Sequence, residues 1–185
     1  MLSVLAIGAG VLLAALLGYA ATRKDTFHVE RTRNIPAPAE QIFAHIEDLR
    51  QWPLWSPYEN VDPAMRRTYS GAASGKGAVY QWAGNRKAGE GRAEITSMSA
   101  PHSIAIKMDF LKPFEGHNTV EFILTPDGEA TAVTWVMYGP QPYPFKLMSL
   151  FVNMDRMIGK EFEAGLANLA RVTAETNGFS RTAAR

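Results

Sequence analysis

Cysteine is absent from the sequence, so the chain has no disulfide framework, no thiolate nucleophile and no cysteine-ligated metal. That absence leaves the redox compartment open. An excess of one charge is missing too: 19 Lys and Arg against 18 Asp and Glu give a net charge of +1. With no basic stripe interleaved with aromatics, this balance argues against nucleic acid as a partner. The histidines His28, His45, His102 and His117 are scattered, and no pair has metal-ligand spacing. Ser56 and Ser70 lack the glycine-flanked elbow of a serine nucleophile, and neither standard glycine-rich phosphate cradle occurs. No metal, no cofactor and no catalytic residue is therefore expected. Internal repeats and low-complexity segments are also absent.

What the chain does have is apolar mass: 185 residues at 46% hydrophobic content fit one globular domain plus an appendage. The appendage comes first. Leu2 to Ala21 carries no charged residue, and about twenty residues of helix span about 30 Å, the hydrocarbon thickness of a bilayer. The stretch reads as a single-pass transmembrane anchor. A cleaved signal peptide is the alternative: Gly18-Tyr19-Ala20 resembles a cleavage site, but no Lys or Arg precedes the apolar run. Arg23 and Lys24 follow directly, which favours keeping the rest of the chain on the cytoplasmic side; the same pair can equally serve as an interfacial anchor. The expected organisation is an anchor over residues 1–22, a linker at 23–26, a domain over 27–177 and a flexible tail at 178–185.

Within the domain, Phe27 to Ile35 has the length of a strand and a partial alternation, with Arg31 and Arg33 on its apolar face. Those long basic chains can snorkel from an edge strand or meet an anionic headgroup. Pro36-Ala37-Pro38 stops the strand, and Ala39 to Leu49 resumes at helical spacing. A loop dense in aromatics and prolines, Trp52 to Tyr58, follows. Six short strands come next, from Arg66 to Tyr138, separated by turn residues such as Gly84-Asn85 and Pro126-Asp127-Gly128. The stretch Pro144 to Asn177 then reads as one long amphipathic helix, with Asn177-Gly178 as its stop. The order is α+β: about seven antiparallel strands, curved by their own twist, wrapped around a long C-terminal helix.

Several segments carry a family resemblance: Ile35 with Ala37-Pro38, Ile42-Phe43, Trp52 with Trp55-Ser56-Pro57, Tyr69-Ser70-Gly71, Gly77-Ala78-Val79-Tyr80 with Trp82, Val133-Thr134-Trp135, and Met157-Ile158-Gly159-Lys160 with Phe162. Over about residues 27–175 the chain resembles the helix-grip superfamily of START-like lipid carriers, in its polyketide cyclase/dehydrase (SRPBCC) group. Arg33 departs from that pattern, where members usually carry an aliphatic residue. The resemblance implies a hydrophobic cavity between sheet and long helix, and no particular reaction.

An enzyme of the cyclase or dehydratase kind needs an inward acid or base, yet Glu94, Asp109 and Glu121 fall out of phase with the apolar strand faces. A carrier needs only an adaptable apolar lining. The expected ligand-binding set is Trp55, Tyr80, Trp82, Ile106, Met108, Phe122, Trp135, Met137, Phe151, Met154 and Ile158. The same residues can simply fill the interior, which is what a solid-core interaction module would require. The expected partner is a hydrophobic small molecule, lipid or isoprenoid-like, taken from the membrane reached through residues 2–21; a protein partner is not specified by the sequence.

Overall fold

The computed structural model describes residues 2–183. Helix α1 (Leu2–Ala21) is followed by strand β1 (Thr26–Ile35), helix α2 (Ala39–Glu47) and two short 3₁₀ segments, Leu49–Leu54 and Pro57–Asn60. Six strands come next: β2 (Arg66–Gly71), β3 (Ala78–Ala83), β4 (Glu90–Ser99), β5 (Ser103–Lys112), β6 (Gly116–Asp127) and β7 (Ala130–Pro140). Helices α3 (Tyr143–Met148) and α4 (Met154–Ala183) complete the order.

The seven strands form one sheet in the order β1-β7-β6-β5-β4-β3-β2, and every pairing is antiparallel. Consecutive strands from β2 to β7 are neighbours, as short turns dictate, and β1 returns to pair with β7. Register breaks in β4 at Glu90/Gly91 and Ile95/Ser97, the kind of bulge that bends a strand and sharpens sheet twist. The concave face presents Ile104, Ile106, Val120, Phe122, Val133 and Trp135, all buried, to Phe162, Leu166 and Leu169 of α4. This is the α+β helix-grip architecture.

The aromatic-proline loop is held by α2. Trp52 Nε1 donates to the Ile46 carbonyl at 3.0 Å and Trp55 Nε1 to the His45 carbonyl at 3.1 Å. Helix ends leave carbonyls without intrahelical partners, and two indoles satisfy them while their rings close the end of the core.

Three expectations are corrected. The long helix does not begin at Pro144. Asn153 Oδ1 accepts the Arg156 backbone N–H at 2.9 Å, an N-cap that starts α4 afresh and leaves α3 a separate short helix. The helix also runs through Asn177-Gly178 to Ala183; of the expected tail, residues 184–185 lie outside the described residues.

The third correction concerns the anchor: among the described residues, no helix is long and apolar enough to cross a membrane. The last turn of α1 belongs to the domain, with Ala20 fully buried and the Leu17 carbonyl accepting the Tyr143 hydroxyl at 2.9 Å. Arg23, expected to mark a cytoplasmic flank, instead lies over the Tyr19 ring, 5.5 Å from its centroid. The single-pass localisation therefore does not stand. The segment at 23–26 is likewise tied down, since Asp25 pairs with Lys146 Nζ at 2.5 Å.

Candidate functional site

Between the concave sheet and the first half of α4 lies a cavity of about 520 Å³, within the usual range for small-molecule sites of roughly 300–1,000 Å³. Its sheet wall is built by Tyr80 and Trp82 of β3, Met108 and Phe110 of β5, Asn118 and Val120 of β6, and Trp135 and Met137 of β7. Met154, Ile158 and Phe162 of α4 form the opposite wall. Phe114 in the β5–β6 turn and Phe145 in α3 meet edge to face, ring centroids 6.0 Å apart, and Phe114 is 68% exposed, so this aromatic pair stands where the cavity opens to solvent.

Of the residues expected to bind ligand, Tyr80, Trp82, Met108, Trp135, Met137, Met154 and Ile158 lie on this wall. Trp55, Ile106 and Phe122 do not. They are sealed in the core at 1% exposure or less, where Trp55 and Phe122 meet edge to face with centroids 5.9 Å apart. Phe151 is also off the wall: the break before α4 turns it outward, and it is 74% exposed.

The inner end of the cavity is polar, a feature that no strand or helix periodicity marks. Glu59 in the second 3₁₀ segment is 5% exposed and lines the cavity beside Ser56 and Tyr58. Tyr80 donates its hydroxyl hydrogen to Glu59 Oε1 at 2.7 Å, and Arg67 Nε donates to Glu59 Oε2 at 2.6 Å. The remaining Arg67 nitrogens reach backbone carbonyls, Nη2 to Glu59 at 2.8 Å and Nη1 to Met65 at 3.1 Å. Burial, then the bond to Glu59, push the Tyr80 phenol well above its ordinary range. The bond to Glu59 likewise raises the Arg67 guanidinium. Burial pushes Tyr58 up, with the Glu161 charge adding to it. These groups keep their protons at neutral pH. Glu59 carries no periodicity signal because it sits in an irregular segment; the only hint was a carboxylate following Tyr58 in an aromatic loop.

The strand carboxylates stay off the cavity wall, as their phase indicated, though Asp109 is not open to solvent. It is 8% exposed on the outer face, bonded by His117 Nδ1 at 2.7 Å and Lys107 Nζ at 3.1 Å. Arg31 finds its anions within the chain: Nη2 pairs with Asp155 Oδ2 at 3.0 Å and Nε with Glu163 Oε1 at 2.9 Å. It thus clips β1 to α4. Arg33 is exposed at the sheet edge. Trp135 Nε1 is the one buried side-chain nitrogen or oxygen without a partner among the described residues.

A hydrophobic cavity gripped between a seven-stranded sheet and a long helix agrees with a family model described as polyketide cyclase / dehydrase and lipid transport, which matches residues 26–174. The chain belongs to this family. No curated protein matches the chain. Among solved structures, the family member is similar to protein Ms6760 from Mycobacterium smegmatis, at 20% identity and a TM-score of 0.56, covering 80% of this chain and 92% of the other. It is similar to Ara h 8.0201 at 10% identity and a TM-score of 0.56, covering 81% and 99%. It is also similar to the di-domain ARO/CYC StfQ from the steffimycin biosynthetic pathway, at 11% identity and a TM-score of 0.61, covering 83% of this chain and 52% of that one. At these identities the likeness is one of fold.

Proposed function

We propose that this member of the polyketide cyclase/dehydrase and lipid-transport family binds a hydrophobic small molecule, lipid or isoprenoid-like, in the cavity between sheet and α4, and acts as its carrier. The observation that carries the reading is the cavity of about 520 Å³ walled by flexible methionines and aromatic rings. Thioether chains adapt to irregular apolar partners, and a void of this size is far above what close-packed interiors leave unfilled. The solid-core module has no place for it.

A cyclase- or dehydratase-like enzyme is the second reading, favoured by Glu59 and Tyr80 on the cavity wall. Binding fits these two better. The phenol holds its proton and the carboxylate is occupied by Arg67 and Tyr80, so the pair is arranged to orient a polar group rather than to exchange a proton with it.

Titration of the full chain with Nile red, a neutral apolar dye, tests the reading. Saturable one-to-one binding with a blue-shifted emission is expected, weakened by about tenfold or more, about 1.4 kcal/mol, in Met108→Trp and unchanged in Ile123→Trp, which alters an exposed outer position. No saturable binding, or equal binding by both variants, rejects it.

A further inference from the structure

The sequence has four tryptophans, and three of their indole nitrogens are committed within the chain. Trp52 Nε1 donates to the Ile46 carbonyl at 3.0 Å, Trp55 Nε1 to the His45 carbonyl at 3.1 Å and Trp82 Nε1 to the Ala88 carbonyl at 3.2 Å. Trp135 differs. The residue is 3% exposed and stands on the cavity wall, and its buried Nε1 has no partner among the described residues. Buried polar groups in native structures are nearly always hydrogen-bonded, because leaving one unmade forfeits its hydration without return. An exception on the wall of a cavity points to a partner that comes from outside the chain.

The neighbours of the ring fix which of its edges is closed. A Cβ at Gly165 would meet Trp135 Cζ3 at 2.6 Å and Cη2 at 3.4 Å, and the Phe162 ring stacks on one face at a centroid distance of 4.3 Å. In an indole the nitrogen lies across the ring system from Cζ3, so the N–H edge is turned away from this sealed contact with α4. Ser56 adds to the demand. It is 2% exposed and lines the same cavity, yet its hydroxyl bonds to nothing among the described residues. The polar end therefore holds, beside the mutually bonded Glu59, Arg67 and Tyr80, hydrogen-bonding groups that the fold does not use. An indole N–H can only donate, so whatever satisfies Trp135 must bring a lone pair.

We infer that Trp135 sets the functional group of the guest: the cavity takes an apolar molecule carrying a carbonyl oxygen, as in a ketone or an ester, and that oxygen accepts from Trp135 Nε1 at the inner end. The inference rests on the cavity being a binding site. A carbonyl suits the place because its oxygen has two lone pairs and brings no hydrogen that needs an acceptor of its own. One lone pair takes the indole N–H, and the other stays open to a hydroxyl such as that of Ser56. A pure hydrocarbon can fill the same volume, but it leaves the indole nitrogen unpartnered.

The test uses the full-length protein with 2-acetylnaphthalene and 2-ethylnaphthalene, probes that differ by a carbonyl in place of a methylene. In NMR spectra of the indole N–H groups, the Trp135 proton is expected downfield in the ketone complex relative to the hydrocarbon complex. Trp55, off the cavity wall and bonded to the His45 carbonyl, should hold nearly the same position in both. Each probe also competes with bound Nile red in the wild type and in Trp135→Phe, which keeps an aromatic ring and loses the donor. The ratio of ketone to hydrocarbon affinity is expected to fall about fivefold in the variant, which is about 1 kcal/mol. The wild-type spectra decide the matter should Trp135→Phe fail to fold. An N–H directed onto the neighbouring Trp55 ring instead predicts the same Trp135 proton position in both complexes; that result, or an unchanged affinity ratio in a folded Trp135→Phe, overturns the inference. If neither Nile red nor either probe binds the wild type, the binding-site reading itself fails, and this inference with it.

Discussion

The indole of Trp135 on β7 and the ring of Phe162 on α4 lie face to face, centroids 4.3 Å apart and 6° from parallel. This stack is where sheet and helix meet at the end of the cavity, with Phe162 at 1% exposure. Removing it leaves a hole that neither rigid element can close. Phe162→Ala is expected to cost about 3–5 kcal/mol, read from the denaturation midpoint at unchanged slope.

One turn along α4, Gly165 leaves room for the same indole. A Cβ there would stand 2.6 Å from Trp135 Cζ3 and 3.1 Å from Pro57 Cδ, and the indole is hemmed in by Phe162 and Phe122. Alanine normally stabilises a helix interior by up to about 1 kcal/mol over glycine. At this position the sign should reverse, with Gly165→Ala destabilising by about 1–3 kcal/mol from overpacking; a variant more stable than the wild type in chemical denaturation contradicts the close packing.

Arg67 holds the buried Glu59 carboxylate in place. Taking away one partner of a buried pair leaves an uncompensated charge, which costs about 3–5 kcal/mol. Arg67 is itself partly exposed, its side chain at 26%, so Arg67→Ala should fall near about 3 kcal/mol. Urea unfolding measures it, and a neutral result would mean that water reaches Glu59 freely.

Acid should weaken the fold through Asp109. Burial works to raise its pKa, but the bonds from His117 and Lys107 outweigh it and hold the carboxyl below its ordinary value. A lowered folded-state value means the stabilisation is complete above the unfolded carboxylate pKa of about 3.9 and is lost as pH falls below it. Asp155, held low by Arg31, adds in the same direction. Melting temperature should therefore drop between about pH 5 and about pH 2, with a shallower drop in Asp109→Asn; parallel curves for the two proteins would exclude a role for Asp109.

The architecture was legible because alternation in the strands and turn residues between them are local signals; the turn residues Gly84-Asn85 directly follow the end of β3 at Ala83. The cavity wall was partly legible for the same reason, since Tyr80, Trp82, Met108 and Met137 follow from strand phase. Phase says which residues face inward, not which of them are covered by their neighbours, so Trp55, Ile106 and Phe122 were indistinguishable from wall residues. Phe151 was misplaced because a cap at Asn153 resets the helical period. Glu59 and Arg67 were missed because their meeting depends on how an irregular loop folds against β2. At the other end, hydrophobicity alone described α1 as a span, while its last turn is committed to packing on α3 through Ala20 and Tyr143.

The most direct measurement of a hydrophobic guest in the cavity uses the methionine methyl groups as reporters, in an NMR titration of the full chain with saturating Nile red. Met108, Met137 and Met154 line the cavity, whereas Met148 and Met157 are exposed at 39% and 51% and serve as internal controls. The expected result is a set of large, saturable shifts at Met108, Met137 and Met154 with Met148 and Met157 nearly still. Shifts confined to Met148 and Met157, or none at saturating dye, would contradict a binding cavity between the sheet and α4.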